Sequence, residues 1–340
     1  PDPSVKRQSG LIKPSINNSN VLGTSFTLPY FKVISESKDL TLTPTWFDSD
    51  TIMSTVEYRQ ENKDSSLLAD FGFVNGYKSP TTKNKNSISH LFVDYDLDLK
   101  LNNYNSSNLK MSINRVSNDS YLNVFDQYVT KSNLRPNDFN KLTNEIKLSL
   151  DHKNFNFQAG FQSFENLKIK KQSDRYQHVL PYYNFSRQIS QNYFDGNLSF
   201  NSNGNNVLDN TNKIETNVIN NLTYNSLGYI SSIGIKNTFG INIKNLNSVG
   251  KKTSKYKSSP QIELLSLYNA DISFPLIKNT KNSKNFLTPK LSFRFNPSDM
   301  KNYTTSDRTI DAHNAFAINR LGLTDTCLLY TSDAADDLRG

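Results

Sequence analysis

The most constraining feature of the sequence is a strict alternation of apolar and polar side chains over residues 91–100. A period of two residues is that of a β-strand, in which successive side chains point to opposite faces of the sheet. An amphipathic helix would instead repeat its apolar residues every three or four positions. The segment therefore predicts a long β-strand. Its apolar face carries Leu91, Val93, Tyr95, Leu97 and Leu99, and its other face carries Phe92, Asp94, Asp96, Asp98 and Lys100.

The same alternation recurs along the chain, and segments rich in Asn, Ser, Gly and Lys separate the alternating ones. No segment shows a convincing amphipathic-helix pattern, so we expect roughly a dozen antiparallel strands joined by polar connections. Further clear alternation is found over residues 108–115, 141–151, 154–164, 193–201 and 232–244. Looser alternation is found over residues 51–60, 65–75, 214–225 and 286–296.

Strand length separates two classes of all-β protein. Strands of soluble proteins average about five or six residues, whereas a tilted strand needs about 9–11 residues to cross a bilayer. Many of the alternating segments have the greater length, and only 35% of the chain is hydrophobic. Such a composition suits a sheet with lipid on one face and a wet interior on the other, because that interior needs no apolar filling. We predict an all-β fold, an antiparallel up-and-down meander that belongs to a membrane β-barrel.

Charge and aromatic content exclude some classes of function. Aromatic residues make up 11% of the chain, which is too many for a disordered protein. The net charge of +8 suits an anionic partner. The lysines, however, are mostly scattered over the predicted connections, as in solvated loops, so we expect no nucleic-acid partner. The sequence contains no run of about 18 apolar residues, so it predicts no transmembrane helix.

The three alternating aspartates have three possible roles: a metal loop, a catalytic carboxylate set or one face of a strand. A calcium loop that began at Asp94 would need Gly at its sixth position and Glu at its twelfth, where the chain has Leu99 and Asn105. The strand period favours the third role. We therefore predict that Asp94, Asp96, Asp98 and Lys100 are polar residues facing the lumen.

Catalytic and cofactor motifs are missing from the sequence. The four histidines are far apart and lack the spacing of metal ligands. No phosphate-binding glycine loop or nucleophile motif is found. We expect no catalytic residue, no metal site and no cofactor, so the chain is not predicted to be an enzyme.

Two prolines lie in or beside the first strand-like segments, Pro14 in SGLIKPS and Pro29 in FTLPYF. Proline cannot donate a backbone hydrogen bond, so within sheets it is confined to edges, strand ends and weakened pairings. The residues alone leave two interpretations open: the prolines mark the ends of strands, or they weaken the pairing of the first strands.

Several motifs resemble a known family when they are taken in order. They are RQSGLIKPS, FTLPYF, LTLTPTWF, VEYRQ, RVSNDSYLNVFD and SDRYQHVLPYYNFS. Together they resemble the outer-membrane barrel of the lipopolysaccharide-assembly protein LptD (OstA) family. The resemblance runs from about Asp2 to Asp325 and is most specific over residues 7–126. It implies that Pro14 and Pro29 form a lateral gate by weakening the pairing between the first and last strands of the barrel.

The resemblance also implies a domain organisation. Residues 1–20 would lead in from a periplasmic domain, and residues 21–326 would form the first half of the barrel. Residues 327–340, CLLYTSDAADDLRG, depart from the composition of the rest and resemble translated sequencing adaptor, so we expect this tail, with Cys327, to be non-native. The cysteines of the family are absent, and its disulfide-controlled assembly is not carried over.

The function implied by the resemblance is the insertion of lipopolysaccharide into the outer leaflet through the lateral gate. The expected location is the outer membrane of a Gram-negative bacterium. The expected partners are lipopolysaccharide, outer-membrane lipid, a plug lipoprotein of the LptE type and a periplasmic bridge protein of the LptA type. Two alternatives share the alternation: a general outer-membrane porin or transporter, and a soluble surface β-protein that acts as a binding module.

The alternation over residues 91–99 yields a testable prediction. We expect cysteines placed at 94, 96 and 98 to react with water-soluble thiol reagents, and cysteines placed at 91, 93, 95 and 97 to react with lipid-phase reagents. A charge in the lipid is costly, at about 2–4 kcal/mol for Arg or Lys at the midplane and less for Asp. Labelling the natural protein in membranes tests this, and the reverse pattern would show that the two faces are wrongly assigned.

Overall fold

The computed structural model describes residues 7–78, 85–129, 134–189, 195–210, 212–280, 283–298 and 318. Within these ranges the regular structure is almost entirely β, which confirms the predicted fold class. The strands are β1 (Gly10–Leu11), β2 (Ser15–Ser19), β3 (Gly23–Thr27), β4 (Tyr30–Ser35), β5 (Lys38–Phe47), β6 (Ile52–Glu61), β7 (Ser65–Lys78), β8 (Lys85–Asp98), β9 (Tyr104–Val116), β10 (Lys141–His152), β11 (Phe155–Asn166), β12 (Tyr176–Ile189), β13 (Gly196–Asp209), β14 (Lys213–Ser226), β15 (Tyr229–Ile230), β16 (Lys236–Lys251), β17 (Gln261–Ser273), β18 (Leu276–Asn279), β19 (Lys284–Leu287) and β20 (Lys290–Phe295). The helices are α1 (Tyr121–Val124), α2 (Asp126–Val129) and α3 (Gln172–Arg175).

The strands are long, as the alternation predicts. In the part of the chain that the structure describes, twelve strands have ten residues or more, and β16 has 16. Their number agrees with the roughly one dozen strands expected from the sequence, although the predicted segment 286–296 forms the short strands β19 and β20 and no segment was assigned to β5, β12 or β17. The three helices have four residues each, which is too short for a helical period to show in the sequence, and they were not predicted.

The described residues divide into two compact units. The first comprises those within Pro1–Lys153, Phe157–Tyr182 and Leu208–Thr211, and the second those within Asn154–Asn156, Tyr183–Val207 and Asn212–Gly340. In the first unit, the strands from β4 to β10 each pair antiparallel with the next one along the chain. In the second unit, β16 pairs antiparallel with both β14 and β17, and β17 pairs with β20.

The first unit has an apolar core on one face of its sheet. The covering segment, which we define as residues 117–129 between β9 and β10, lies on this face, and its side chains Tyr121, Leu122 and Phe125 are fully buried. They belong to one cluster with Phe92 of β8. Other buried members of the cluster are Leu22, Phe47, Met53, Val74, Tyr77, Ile88, Val116, Val129, Leu134, Leu142 and Leu167.

This core corrects the expectation that the polar face needs no apolar filling. Phe92 is wholly buried on the same face as Asp94, because the connecting segment brings its own aromatic residues against that end of the strand. Alternation reports which side chains share a face, but it does not report what covers the face. Helices of four residues are too short to show a helical period in the sequence. The sequence therefore does not predict that this segment folds back over the sheet.

The packing around Gly72 gives a prediction about stability. Gly72 pairs with His90 across β7 and β8, and a Cβ atom there would collide with the imidazole ring and lie 2.9 Å from the Tyr121 hydroxyl. We expect Gly72→Ala to lower the free energy of unfolding by about 1–3 kcal/mol, as overpacking does. Urea denaturation of the protein folded in detergent measures it.

Gly10→Ala is the matched control, because a Cβ atom at Gly10 meets nothing within 4 Å. If Gly72→Ala proved as stable as Gly10→Ala, the close packing of β7 against His90 and Tyr121 would be wrong.

Candidate functional site

The first strands of the sheet form an edge hairpin, which we define as residues 9–35. One arm contains β1 and β2, and the other contains β3 and β4. Over the described residues of the first unit, β2 pairs only with β3, so β2 is an edge strand of that unit. An edge strand presents unpaired backbone groups on its outer side and can pair with another strand or separate from its neighbour.

The first arm of the edge hairpin contains a β-bulge at Pro14. Leu11 pairs with Tyr30 in the lower half of the hairpin, whereas Ser15 pairs with Thr27 in the upper half. The amide of Ile12 donates to the carbonyl of Pro29, so Lys13 and Pro14 together lie opposite Leu28. Two residues opposite one is the definition of a bulge, which disrupts the ladder and increases the local twist.

Pro29 interrupts the second arm at the same level. Its carbonyl oxygen accepts from the Ile12 amide at 2.8 Å. In an antiparallel pair the N–H and C=O of one residue point to the same neighbouring strand. The donor that Pro29 lacks is therefore one that would have bonded to the first arm. Pro14 is exposed and Pro29 is buried.

A third proline continues this row into the next strand. Pro44 of β5 accepts a hydrogen bond from the Leu28 amide at 3.2 Å, so its missing donor also faces the edge hairpin. Pro44 was not among the gate residues predicted from the sequence. The available signal was a proline in the middle of LTLTPTWF, where a regular inner strand would not place one. Pro14, Pro29 and Pro44 thus lie at one level of the first arm, the second arm and β5.

A charge cluster fastens the lower end of the hairpin. Asp39 of β5 has a side chain only 4% exposed and pairs with the guanidinium groups of Arg7 and Arg59. The distance from Arg59 Nε to Asp39 Oδ1 is 2.7 Å. Both guanidinium groups also lie about 6 Å from the ring centre of Phe31 in β4, a distance at which a cation is attracted to an aromatic face. Arg7 thereby ties the segment before β1 to the inner strands.

The predicted lumen-facing acids lie on one face of β8, with polar residues opposite most of them. Asp96 pairs in register with Ser66 and Lys110, and the Lys110 ammonium lies 3.7 Å from its carboxylate. Asp94 pairs with Ser112 on one side and Leu68 on the other. The remaining register partner on this face is Asn108, opposite Asp98.

Lys100 lies in the turn after β8 rather than in the strand. Its φ of 48° is in the left-handed region, and its ammonium forms an ion pair with Asp64 in the preceding connection. Both side chains are more than 40% exposed, so the pair is a surface contact of small energetic weight. Lys100 therefore helps to join two turns. The polar face of β8 ends at Asp98, so Lys100 is not part of that face.

A buried polar chain connects the covering segment to the inner strands. The Tyr121 hydroxyl lies 2.7 Å from Nδ1 of His90. Nε2 of His90 lies 3.3 Å from Oδ1 of Asp70 without hydrogen-bonding geometry. Burial raises the pKa of Tyr121 well above its ordinary value, so the hydroxyl keeps its proton and can donate to the imidazole. No motif or spacing in the sequence points to these three residues.

A second contact holds the start of the same segment. Arg175 of α3 donates to Asp119 at 2.6 Å and to Glu165 at 2.7 Å. The hydrogen bond to Asp119 is the main reason that the pKa of Arg175 is raised above its ordinary value. Arg175 is only 11% exposed, whereas Asp119 is 47% exposed, so a largely buried guanidinium joins β11 to the more exposed start of the covering segment.

The second unit has one polar and one apolar face. Amide, hydroxyl and charged side chains predominate on the polar face, and together with Ile241 and Leu267 they line a groove there. Large apolar side chains on the other face are exposed, among them Phe239, Ile262, Leu264, Phe293 and Phe295. Exposed apolar surface of this extent marks contact with a membrane or another apolar partner. The groove is lined by Thr223, Asn225, Ile241, Asn242, Leu267, Asn269, Asp271, Ser292 and Arg294.

No family model matches this chain. A curated relative, the LPS-assembly protein LptD of Cupriavidus necator, is 28% identical over 169 residues. The match covers 49% of this chain and 19% of the relative, so the chain corresponds to a small part of that protein. This distant similarity points to the same family as the sequence motifs.

Among the described residues, no group of three or more His, Cys, Asp or Glu side chains is placed to hold a metal ion. No helix in the same part of the chain is long and apolar enough to cross a membrane.

The position of Pro44 yields a prediction about the hairpin. In Pro44→Ala the new amide can donate towards Leu28, and one ladder hydrogen bond contributes about 0.5–1.5 kcal/mol. We expect amide exchange over residues 25–31 to slow by roughly two- to tenfold, as measured by hydrogen exchange on the natural protein in detergent. Pro260→Ala, in the connection before β17, is the control. Equal exchange in the two variants would mean that Pro44 does not weaken the ladder.

Proposed function

We propose that this chain is part of an outer-membrane protein that inserts lipopolysaccharide into the outer leaflet through a lateral gate at the edge hairpin. The observation that carries the proposal is the row of Pro14, Pro29 and Pro44 across the first strand lines. The distant similarity to an LPS-assembly protein LptD supports the same reading. So do the exposed apolar side chains opposite a polar face.

The physical mechanism follows from two requirements of an amphipathic glycolipid. Its acyl chains must reach the bilayer, while its sugars and phosphates must stay in a polar environment. A sheet in lipid has its backbone groups paired, so a route from the inside to the bilayer needs one weak pairing. The edge hairpin supplies the weak pairing, and the polar faces supply the route for the sugars. Transfer of an intact lipid makes and breaks no covalent bond, so the proposed function is transport and not catalysis.

The proposal includes the expected assignments that follow from this function. Pro14 and Pro29 belong to the gate, and Asp94, Asp96 and Asp98 line the polar lumen. Residues 1–20 lead in from a periplasmic domain that receives lipopolysaccharide from a bridge protein of the LptA type. Residues 21–326 are part of the barrel, into which a lipoprotein of the LptE type inserts as a plug. The tail 327–340 lies outside the described residues and is proposed to be non-native.

The two alternatives account for less of the geometry. A porin and a soluble binding module would share the alternation and the polar face. Neither needs three prolines at one level of adjacent strands, where the missing donors of Pro29 and Pro44 face a neighbouring strand. The row of prolines therefore favours the gated transporter.

The gate gives a direct prediction. Pro14→Ala combined with Pro29→Ala restores two backbone donors, each worth roughly 0.5–1.5 kcal/mol net in a ladder. We expect a stronger seam and, because 1.4 kcal/mol is tenfold in an equilibrium, export of lipopolysaccharide slower by about tenfold. The measurements are the export rate and the permeability of cells to large antibiotics, at equal protein level.

The matched control is Pro260→Ala, which makes the same chemical change in the connection before β17 of the second unit. Export at the wild-type rate in the Pro14/Pro29 variant would mean that these prolines only mark strand ends.

A further inference from the structure

Tyr128 of α2 makes the contact between the covering segment and the edge hairpin. Its hydroxyl lies 2.7 Å from Oγ of Ser25 in β3, and Ser25 is only 2% exposed. The Tyr128 ring packs edge-on against Phe47, with ring centres 5.0 Å apart. The contact joins residues 103 positions apart in the chain, so it is a product of the fold and not of local sequence.

The hydrogen bond continues to the edge strand itself. Oγ of Ser25 donates to the carbonyl of Asn17 in β2 at 3.4 Å. A serine hydroxyl has a single proton, so when Ser25 donates to Asn17, Tyr128 must donate to Ser25. The two hydroxyls thus form a relay from α2 through β3 to the backbone of β2. Asn17 and Ser25 are register partners, so the relay crosses the pairing that the proposed gate must open.

The other end of the covering segment is fixed to the inner strands. Tyr121 bonds to His90 of β8 at 2.7 Å, and Asp119 is held by Arg175 at 2.6 Å. Phe125, wholly buried, packs against both Tyr121 and Tyr77, with ring centres 5.2 and 5.6 Å apart. A segment anchored in this way gives Tyr128 a fixed position against which the hairpin can be held.

We propose that the covering segment, residues 117–129, is an internal latch for the edge hairpin, with Tyr128 as its positioning residue. The inference rests on the proposed function of the hairpin as a gate and names the contact that keeps the gate closed. In the closed arrangement Tyr128 holds Ser25 and, through it, the Asn17 carbonyl. Opening of β2 breaks the relay, and any partner that displaces α2 from Ser25 favours opening.

The test uses Tyr128→Phe, which removes the hydroxyl but keeps the ring that packs against Phe47. Ser25→Ala, the second variant, removes the partner hydroxyl. Hydrogen exchange of the complete natural protein in detergent is followed at the amides of residues 15–19. We expect exchange to be faster by about two- to tenfold in each variant, as loss of one hydrogen bond implies. The double variant should be no faster than the faster single one, because both changes remove the same relay.

Tyr58→Phe is the control, because Tyr58 also loses a hydroxyl bonded to a neighbouring side chain, Gln60 at 2.8 Å, but lies on β6 away from the hairpin. Exchange of residues 15–19 that stays at the wild-type rate in Tyr128→Phe or in Ser25→Ala overturns the latch. So does faster exchange that extends equally to β7 and β8, which would indicate general loss of stability.

Lipopolysaccharide export by the same variants separates this inference from the proposed function. Faster exchange at β2 with increased export supports both. Faster exchange at β2 with unchanged export supports the latch and contradicts the use of the hairpin as a gate for lipopolysaccharide. The exchange rate and the export rate are independent results, because exchange is measured without lipopolysaccharide.

Discussion

The backbone hydrogen bond is the interaction on which this structure depends. Each strand residue has a donor and an acceptor that must be paired wherever water is excluded. Long regular strands satisfy this condition in a simple way, which is why most of the described chain consists of them. The departures from it are concentrated in the first strand lines. There, Pro29 and Pro44 lack donors that would face a neighbouring strand, and the register changes at Lys13 and Pro14.

Side-chain contacts supplement the backbone hydrogen bonds of the edge hairpin. At the lower end of the hairpin, Asp39 binds two guanidinium groups that lie near Phe31. At the upper end, the hydroxyls of Ser25 and Tyr128 meet. Such contacts can be broken and re-formed individually, whereas a continuous ladder resists opening along its whole length. A sheet edge held by a few side-chain contacts is therefore both ordered and able to change its arrangement.

The strands and their faces could be predicted from the sequence because a period of two is a local property. The alternation from Leu91 to Asp98 requires no knowledge of any other strand, and the register of β8 with β7 and β9 agrees with it. The contacts of the candidate site could not be predicted in this way. Ser25 and Tyr128 are far apart in the chain, and so are His90 and Tyr121. Pro44 was visible in the sequence, but its importance depends on Leu28 lying opposite it.

The bulge at Lys13 and Pro14 has a consequence for the geometry of the first arm. Below the bulge the odd-numbered residue Leu11 is 69% exposed, and above it the even-numbered residue Ile16 is 74% exposed. The extra residue thus reverses the parity of the strand and keeps apolar side chains on one surface along its full length. It also stores about 3.3 Å of chain length. Sliding β2 by one residue to use that length would turn Ile16 to the polar side. The stored length is therefore available for bending the arm away from its neighbour and not for shifting it along its neighbour.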